Sequence, residues 1–331
     1  MTSSDDRHAL GSLEEFAGSP PGAAAGAPAA WNEGLTARID ALLRWLGHQR
    51  WLRYGARDRL LRALRNPETI DSRSFEADFA GFRYQGDLSR WIDWIVYFFG
   101  AYELDELELV RRLLPADGSA IALDIGANVG HHSLFLASCC AQVHAFEPFD
   151  GVARFIDEKI ARNGFDRIVV HRVGLSDGDA DLPYFAPGHS NVGNGTFVAA
   201  LADGGHEATC TLSLRHGDRY LDELALPRID FVKIDVEGFE LKVLEGLQAT
   251  LRTYRPIVML EVSDTVRAEL GSLPGLMALF PPGYEVFRLA PPEARFVLFS
   301  SGHAMLAPPA IDWAGPVLAG EYVNLLLRPR V

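Results

Sequence analysis

From residue 119 onward, short apolar runs rich in β-branched residues alternate with helical stretches, and this rhythm restricts the fold more than any other feature of the chain. The strands read as AIALDI (120–125), QVHAFE (142–147), RIVVHRV (167–173), DFVKIDV (230–236) and PIVMLEV (256–262). Helices fall at about 130–140, 151–163, 238–252 and 264–279. Strands that are apolar without interruption are buried on both faces, and the helices between them supply the cover. The expectation is therefore an α/β fold around a mostly parallel sheet. YEVFRLA (284–290) and EYVNLLLR (321–328) add late strands, read as an antiparallel edge.

Upstream the chain has a different texture. Residues 17–30, AGSPPGAAAGAPAA, are small, uncharged and rich in Pro and Gly, so residues 1–30 are expected to be a poorly ordered tail and linker. Residues 33–65 carry apolar positions at helical spacing, and residues 38–65 hold eight Arg against two Asp. Two roles fit such a basic helix: a solvated face on an element packed against the main domain, or a dock for acidic lipid headgroups or an anionic substrate, with Trp45, Trp51 and Tyr54 at the interface. FEADFAGFRYQGD (75–87) predicts a short hairpin, and a helix is expected from an N-cap at Ser89 to about Phe99. After Gly100-Ala-Tyr-Glu103 another helix runs until Pro115 and Gly118 end it. The chain thus divides into a tail (1–30), a helical N-terminal extension with a short hairpin (31–115) and a main domain (116–331).

A net charge of −13 argues against a protein that neutralises nucleic-acid phosphates. Three cysteines without metal-ligand spacing predict reduced thiols, with Cys139 and Cys140 filling space in a helix. The N-terminus lacks the pattern of a signal peptide, and WIDWIVYFF (91–99) is too short to span a bilayer, so a cytoplasmic location is expected.

In open α/β sheets ligands sit at the carboxyl ends of the strands. The first strand of the main domain ends in ALDIGANVG (122–130), which places Asp124 ahead of Gly126, Asn128 and Gly130. The glycines permit a tight turn and close approach of the backbone to a ligand, but a leading carboxylate favours a cation over a pyrophosphate. The second strand ends at Glu147, where an acid suits the two hydroxyls of a ribose. An adenosine without phosphates and with sulfonium and ammonium charges satisfies both, so S-adenosylmethionine fits better than a nicotinamide dinucleotide. The fourth strand gives KIDVEG, and alternation puts Lys233, Asp235 and Glu237 on one side. Lysine is informative in a chain with only three against twenty-eight arginines. Three charges on such a strand either form a structural ion network or serve a ligand. Glu261 adds an acid to the same rim. His131 and His132 open the helix after the glycine turn, Ser176 and Asp177 follow the third strand, and the polar loop GHSNVGNGT (188–196) offers Asn191 and Asn194 as lid residues.

LDIGANVGHHSL, AFEP, VGLSD, DFVKIDVEGFELKVLEG and RPIVMLEV, in this order, resemble the FkbM family of S-adenosylmethionine-dependent methyltransferases over residues 119–263, and FRYQGDLSRWI and FFGAYE extend the likeness back to about residue 75. The resemblance implies a class I (Rossmann-like) methyltransferase fold, a mostly parallel seven-stranded sheet with its last strand antiparallel. It also implies O-methylation of a hydroxyl on a small molecule, sugar or glycolipid by direct in-line transfer. Carried over, Asp124, Gly126, Asn128, Gly130 and Glu147 would bind S-adenosylmethionine, with Ser176 and Asp177 near the adenine. Lys233, Asp235 and Glu237 would be catalytic, and His132, Asn194 and Glu261 would face the substrate. The chain departs from the family where Glu261-Val-Ser263 replaces the His that often follows the acid pair. For deprotonating the acceptor, Asp235 or Glu237 as base and Mg²⁺ held by Asp235, Glu237 and Glu261 both remain open. The alternatives are methyl transfer to nitrogen on a peptide or nucleic acid, and a binding module without catalysis.

Overall fold

The computed structural model describes residues 29–186, 195, 197, 208–290, 305–307 and 323–330. The predicted tail up to residue 28 and the loop residues Asn191 and Asn194 lie outside the described residues. In chain order the elements are α1 (Ala29–Gly47), α2 (Tyr54–Leu64), the hairpin β1 (Ser74–Phe79) and β2 (Phe82–Asp87), α3 (Trp91–Phe99) and α4 (Leu104–Leu113). There follow β3 (Ile121–Ile125), α5 (His131–Ala137), β4 (Gln142–Phe146), α6 (Asp150–Asn163) and β5 (Ile168–His171). Next come β6 (Gly174–Ser176), β7 (Ala180–Tyr184), β8 (Cys210–His216), α7 (Gly217–Leu224) and β9 (Phe231–Ile234). The chain closes with α8 (Glu240–Gly246), α9 (Gln248–Tyr254), β10 (Ile257–Val262), α10 (Asp264–Leu270), α11 (Leu273–Met277), β11 (Tyr284–Ala290), β12 (Met305–Ala307) and β13 (Val323–Pro329). It divides into two units after Leu42, and the unit Leu43–Val331 holds everything described below.

The main sheet runs β12-β11-β13-β10-β9-β3-β4-β5. The five strands from β10 to β5 are parallel, whereas β13 lies antiparallel between β10 and β11. This is the expected doubly wound arrangement with one strand more than the predicted seven: β12 adds a three-residue edge beside β11. The late strands are not a simple edge, because β13 is inserted next to β10.

Period-two alternation sorts the strand residues between two cores. Leu123, Ile125, Val232, Ile234, Val258, Leu260, Leu325 and Leu327 face one layer, with Val243, Leu244 and Leu251 from α8 and α9. Ala122, Phe231, Met259 and Leu326 face the other, against Phe79 and Tyr84 of the hairpin, Leu107 and Val110 of α4, and Leu134 and Phe135 of α5. The lead-in segment therefore roofs one face of the sheet.

Several local expectations need correction. The helical stretch 33–65 is two helices, because α1 stops at Gly47, whose backbone passes so close to α3 that a Cβ would sit 2.0 Å from the Phe98 carbonyl oxygen. Ser89 does not cap α3: its Oγ donates to Asp87 at 2.6 Å, and Arg90 precedes the helix. The helix expected at 238–252 breaks at Leu247, and that at 264–279 breaks at Gly271, which has φ 64°. Cys139 and Cys140 lie in the turn after α5, Cys140 buried in the core, and the three cysteines are free thiols. The small sheet β6-β8-β7 and α7 were not anticipated. Among the described residues no helix is long and apolar enough to cross a membrane.

Candidate active site at the carboxyl edge of the sheet

The turn after β3 is built by its glycines, though not only for a ligand. Gly126 has φ 81°, and a Cβ there would lie 1.8 Å from the Asp235 carbonyl oxygen. The residue is glycine because the chain leaving β9 crosses directly over it. Gly130, at φ 78°, accommodates Ile156 of α6, to which a Cβ would come within 2.9 Å, and it precedes α5. Asn128 adopts φ 52°, a conformation asparagine tolerates better than most side chains, and its Oδ1 accepts from Val129 N at 2.8 Å. Glu147, one residue past β4, clamps the turn: its two oxygens accept from Asn128 N and Phe149 N, each at 3.0 Å. Burial pushes the Glu147 carboxyl up to about 7 in spite of those two bonds, with the Asp124 charge adding to the shift.

A second group forms a row across four strands on the roofed face. Register pairs Asp124 with Lys233, and Glu261 with Asn324. Lys233 Nζ donates to Asp235 Oδ2 at 2.7 Å. Burial disfavours its charge, but Asp235, Asp124 and Glu103 together hold the ammonium above its ordinary range. Asp124 is fully buried, accepts from Ser133 Oγ at 2.5 Å, and keeps its other oxygen without a hydrogen bond. Asn324 Nδ2 reaches up to the roof, donating to Glu103 Oε1 at 3.1 Å and Glu106 Oε2 at 2.8 Å. His132 Nε2 lies 3.1 Å from Glu103 Oε2, off the line of a good hydrogen bond. Burial opposes ionisation of Glu103, but His132 and Lys233 outweigh it and hold this carboxyl low, whereas burial and the Glu103 charge push Glu106 up.

A cavity opens above these residues. Gly126, Asn128 and Glu147 line one side, Asp235, Glu237 and Glu261 another, and Trp91, Ile92 and Tyr102 of the lead-in a third. Leu175, Tyr184 and Leu214 supply an apolar wall from the small sheet. Four carboxyl groups face the space, and no Lys, Arg or His lines it among the described residues. Burial, with Asp235 and Glu240 nearby, pushes Glu237 up to about 7. Burial and the Asp235 charge push Glu261 up further.

Six of the sequence-predicted residues thus meet in one cavity: Gly126, Asn128, Glu147, Asp235, Glu237 and Glu261. Asp124, Gly130 and Lys233 stand behind its wall. Ser176 and Asp177 do not line it; Gly174 and Leu175 occupy that place, Ser176 is buried under the close approach of Gly246, and Asp177 pairs with Lys242 at 2.8 Å. His132 is turned toward Glu103 in the roof, and His131 is buried with its Nε2 2.9 Å from Tyr102 O, its pKa lowered to about 3 by burial. Glu237 reaches the cavity although alternation fails, since β9 ends at Ile234 and Glu237 has φ 51°. The carboxylates close enough to share a cation are Asp235, Glu240 and Glu261, not the predicted set with Glu237. Glu240 fits that task poorly, because its oxygens already accept from Val236 N and Gly238 N. Tyr102, Glu103, Glu106 and Asn324 are not among the sequence-predicted residues; GAYE reads as a turn and as part of the lead-in resemblance, with no role for its side chains.

The lining suits S-adenosylmethionine: an acid for ribose, a turn that admits close approach and, among the described residues, a wall without basic groups. The mostly parallel sheet, with β13 antiparallel beside β10 and the cavity at its carboxyl edge, has the class I, Rossmann-like methyltransferase fold. The family model described as Methyltransferase FkbM domain matches residues 124–281. The chain is similar to AMB antimetabolite synthetase AmbE of Pseudomonas aeruginosa, 34% identical over 187 residues, which are 46% of this chain and 9% of that protein. It is also similar to hexuronic acid methyltransferase AglP of Haloferax volcanii, 30% identical over 156 residues, 46% of this chain and 61% of that one. The chain thus spans less than two thirds of either relative. The crystal structure of methyltransferase FkbM from Methylobacillus flagellatus aligns with 63% of this chain and 44% of its own, at 15% identity and a TM-score of 0.40.

Proposed function

We propose that this protein binds S-adenosylmethionine and methylates a hydroxyl oxygen on an uncharged small molecule, sugar or glycolipid. The carrying observation is the cavity wall: four carboxyl groups and no basic side chain among the described residues. Such a wall favours a cationic nucleoside over a pyrophosphate, because a cation draws the raised Glu147 and Glu237 carboxyls into their ionised form whereas an anion opposes it. It also disfavours an anionic acceptor, so the hexuronic acid in the name of AglP is not carried over to this chain.

When bound, S-adenosylmethionine supplies an electrophilic methyl group on a positively charged sulfur. Glu147 would accept the ribose hydroxyls, Gly126 and Asn128 would bring backbone against the ligand, and Leu175 and Leu214 would offer an apolar surface to the adenine. Trp91, Ile92 and Tyr102 hold the acceptor in line, which supplies much of the rate by removing an encounter. Glu237 takes the acceptor's proton, because a carboxyl at about 7 is half ionised at neutral pH and suits a general base. Asp235, paired with Lys233, favours the cationic donor over its neutral product. Calorimetry with S-adenosylmethionine and with NADH tests the donor: tight binding of NADH alone overturns the assignment. Labelled methyl transfer to hydroxyl and amine acceptors tests the rest. Transfer to nitrogen is the second reading, favoured by the same acidic wall, which also attracts an ammonium. Binding without transfer to any acceptor would leave a module without catalysis.

A further inference from the structure

We propose that the end of α1, the turn after it and α2 form a surface that docks on anionic lipid bilayers. All six exposed large hydrophobic residues among the described ones fall between Leu42 and Leu64. Five belong to the larger unit: Trp45, Trp51, Tyr54, Leu60 and Leu64, with Trp45 58% and Leu64 51% exposed. Leu60 and Leu64 are one helical turn apart and so share a face of α2. Gln49 connects the two tryptophans, donating to Trp45 O at 2.6 Å and accepting from Trp51 Nε1 at 3.1 Å. Residues 43–65 also hold seven Arg against one Asp, in a chain of net charge −13, although Arg50 is paired with Asp105 and Glu108 and Arg62 with Asp58. Arg44, Arg57 and Arg59 donate to the backbone carbonyls of Tyr97, Gly47 and Gly55, which fixes them without cancelling their charge. Exposed Trp, Tyr and Leu interleaved with Arg match the two layers of a bilayer interface, acyl chain below and anionic headgroup above. An acidic protein partner would meet the charge, yet it would not call for apolar side chains spread over two helices and a turn.

This surface runs into the cavity. The Arg62 guanidinium of α2 lies 4.2 Å over the ring of Trp91, and Trp91 lines the cavity. A bilayer against α2 would bring molecules anchored in it to that rim.

Vesicle co-sedimentation of the full chain tests the proposal, with phosphatidylcholine alone and with phosphatidylcholine mixed with phosphatidylglycerol, each at low and high salt. Expected is strong binding to the anionic vesicles only, weakened by salt, and reduced about tenfold by the pair Trp51→Ser and Leu60→Ser and by Arg59→Glu. These side chains are exposed, and circular dichroism verifies that the variants fold. Equal binding to neutral vesicles, or undiminished binding by all the variants, overturns the proposal. So does failure to bind vesicles combined with self-association that the same variants abolish, which would make the patch an interface between copies. Calorimetric binding of S-adenosylmethionine is independent of every outcome, so failure here leaves the donor assignment standing.

Discussion

Lys233 Nζ donates to Asp235 Oδ2 at 2.7 Å from a position that is almost fully buried, so the site's one ammonium is committed to one of its carboxylates. Removing either partner leaves an uncompensated charge. Lys233→Met should lower stability by about 3–5 kcal/mol, and the double variant Lys233→Met/Asp235→Asn should lose less than the sum of the two single losses. Thermal unfolding of all four proteins measures the coupling; strict additivity would mean that the pair is not an energetic unit. Asp235→Asn alone should weaken binding of S-adenosylmethionine about 10-fold while leaving that of its neutral product within about 2-fold.

Gly126 and Gly164 both have positive φ, but they differ in what surrounds them. A Cβ on Gly126 would strike the Asp235 carbonyl at 1.8 Å, whereas one on Gly164 meets nothing within 4 Å. Gly164→Ala should cost about 1 kcal/mol from backbone strain alone. Gly126→Ala should cost about 3 kcal/mol or more and weaken donor binding, since the turn and the end of β9 must part. Denaturant unfolding compares the two, and equal losses would contradict the close approach.

Glu147 and Glu237 both carry values near 7 in the fold, against 4.5 for an ordinary glutamate. Between those values the folded protein holds protons that the unfolded chain has released, so stability falls as pH rises from about 4.5 to 7 and levels off above. Each group costs up to about 3 kcal/mol at pH 8. The buried His131 and His171, both lowered by burial, act oppositely and lose stability as pH falls below about 6.5. The difference between variants is therefore the readout: Glu147→Gln should flatten the decline in melting temperature between pH 5 and 8. An unchanged slope would place the burial cost elsewhere. For turnover, kcat should rise with pH through about 7, and Glu237→Gln should abolish that limb.

Among the described residues, the carboxylates close enough to share a cation are Asp235, Glu240 and Glu261, but Lys233 pairs with the first and backbone N–H groups occupy the second. Turnover should accordingly stay within about 2-fold after EDTA treatment, and Mg²⁺ should add nothing. Loss on chelation with recovery on adding Mg²⁺ would assign Asp235 and Glu261 to a metal instead.

Strand ends were the legible part of the sequence. Asp124, Glu147 and Glu261 were found because each terminates an apolar run, and in a doubly wound sheet such ends converge. The roof was not legible, since its contacts are distant in the chain: Asn324 meets Glu103 across 221 positions. Glu240 was overlooked because a carboxylate that accepts from turn N–H groups looks in sequence like any acid at a helix start. Alternation was trusted two residues too far at Glu237, where the backbone has left the strand for φ 51°. Ser176 and Asp177 lie outside the cavity lining for a related reason: β6 belongs to a separate three-stranded sheet, and Gly174 and Leu175 at its start reach the cavity instead.

The insertion of β13 between β10 and β11 bears on how the molecule is made. β11 has no hydrogen-bonded contact with β10 except through β13, whose Leu325, Leu326 and Leu327 are wholly buried. During synthesis the sheet can assemble from β5 to β10 and must then wait with an apolar edge uncovered until residues 323–329 emerge from the ribosome. Completion of this sheet is a slow, late event, and the nascent chain is most vulnerable to aggregation in that interval.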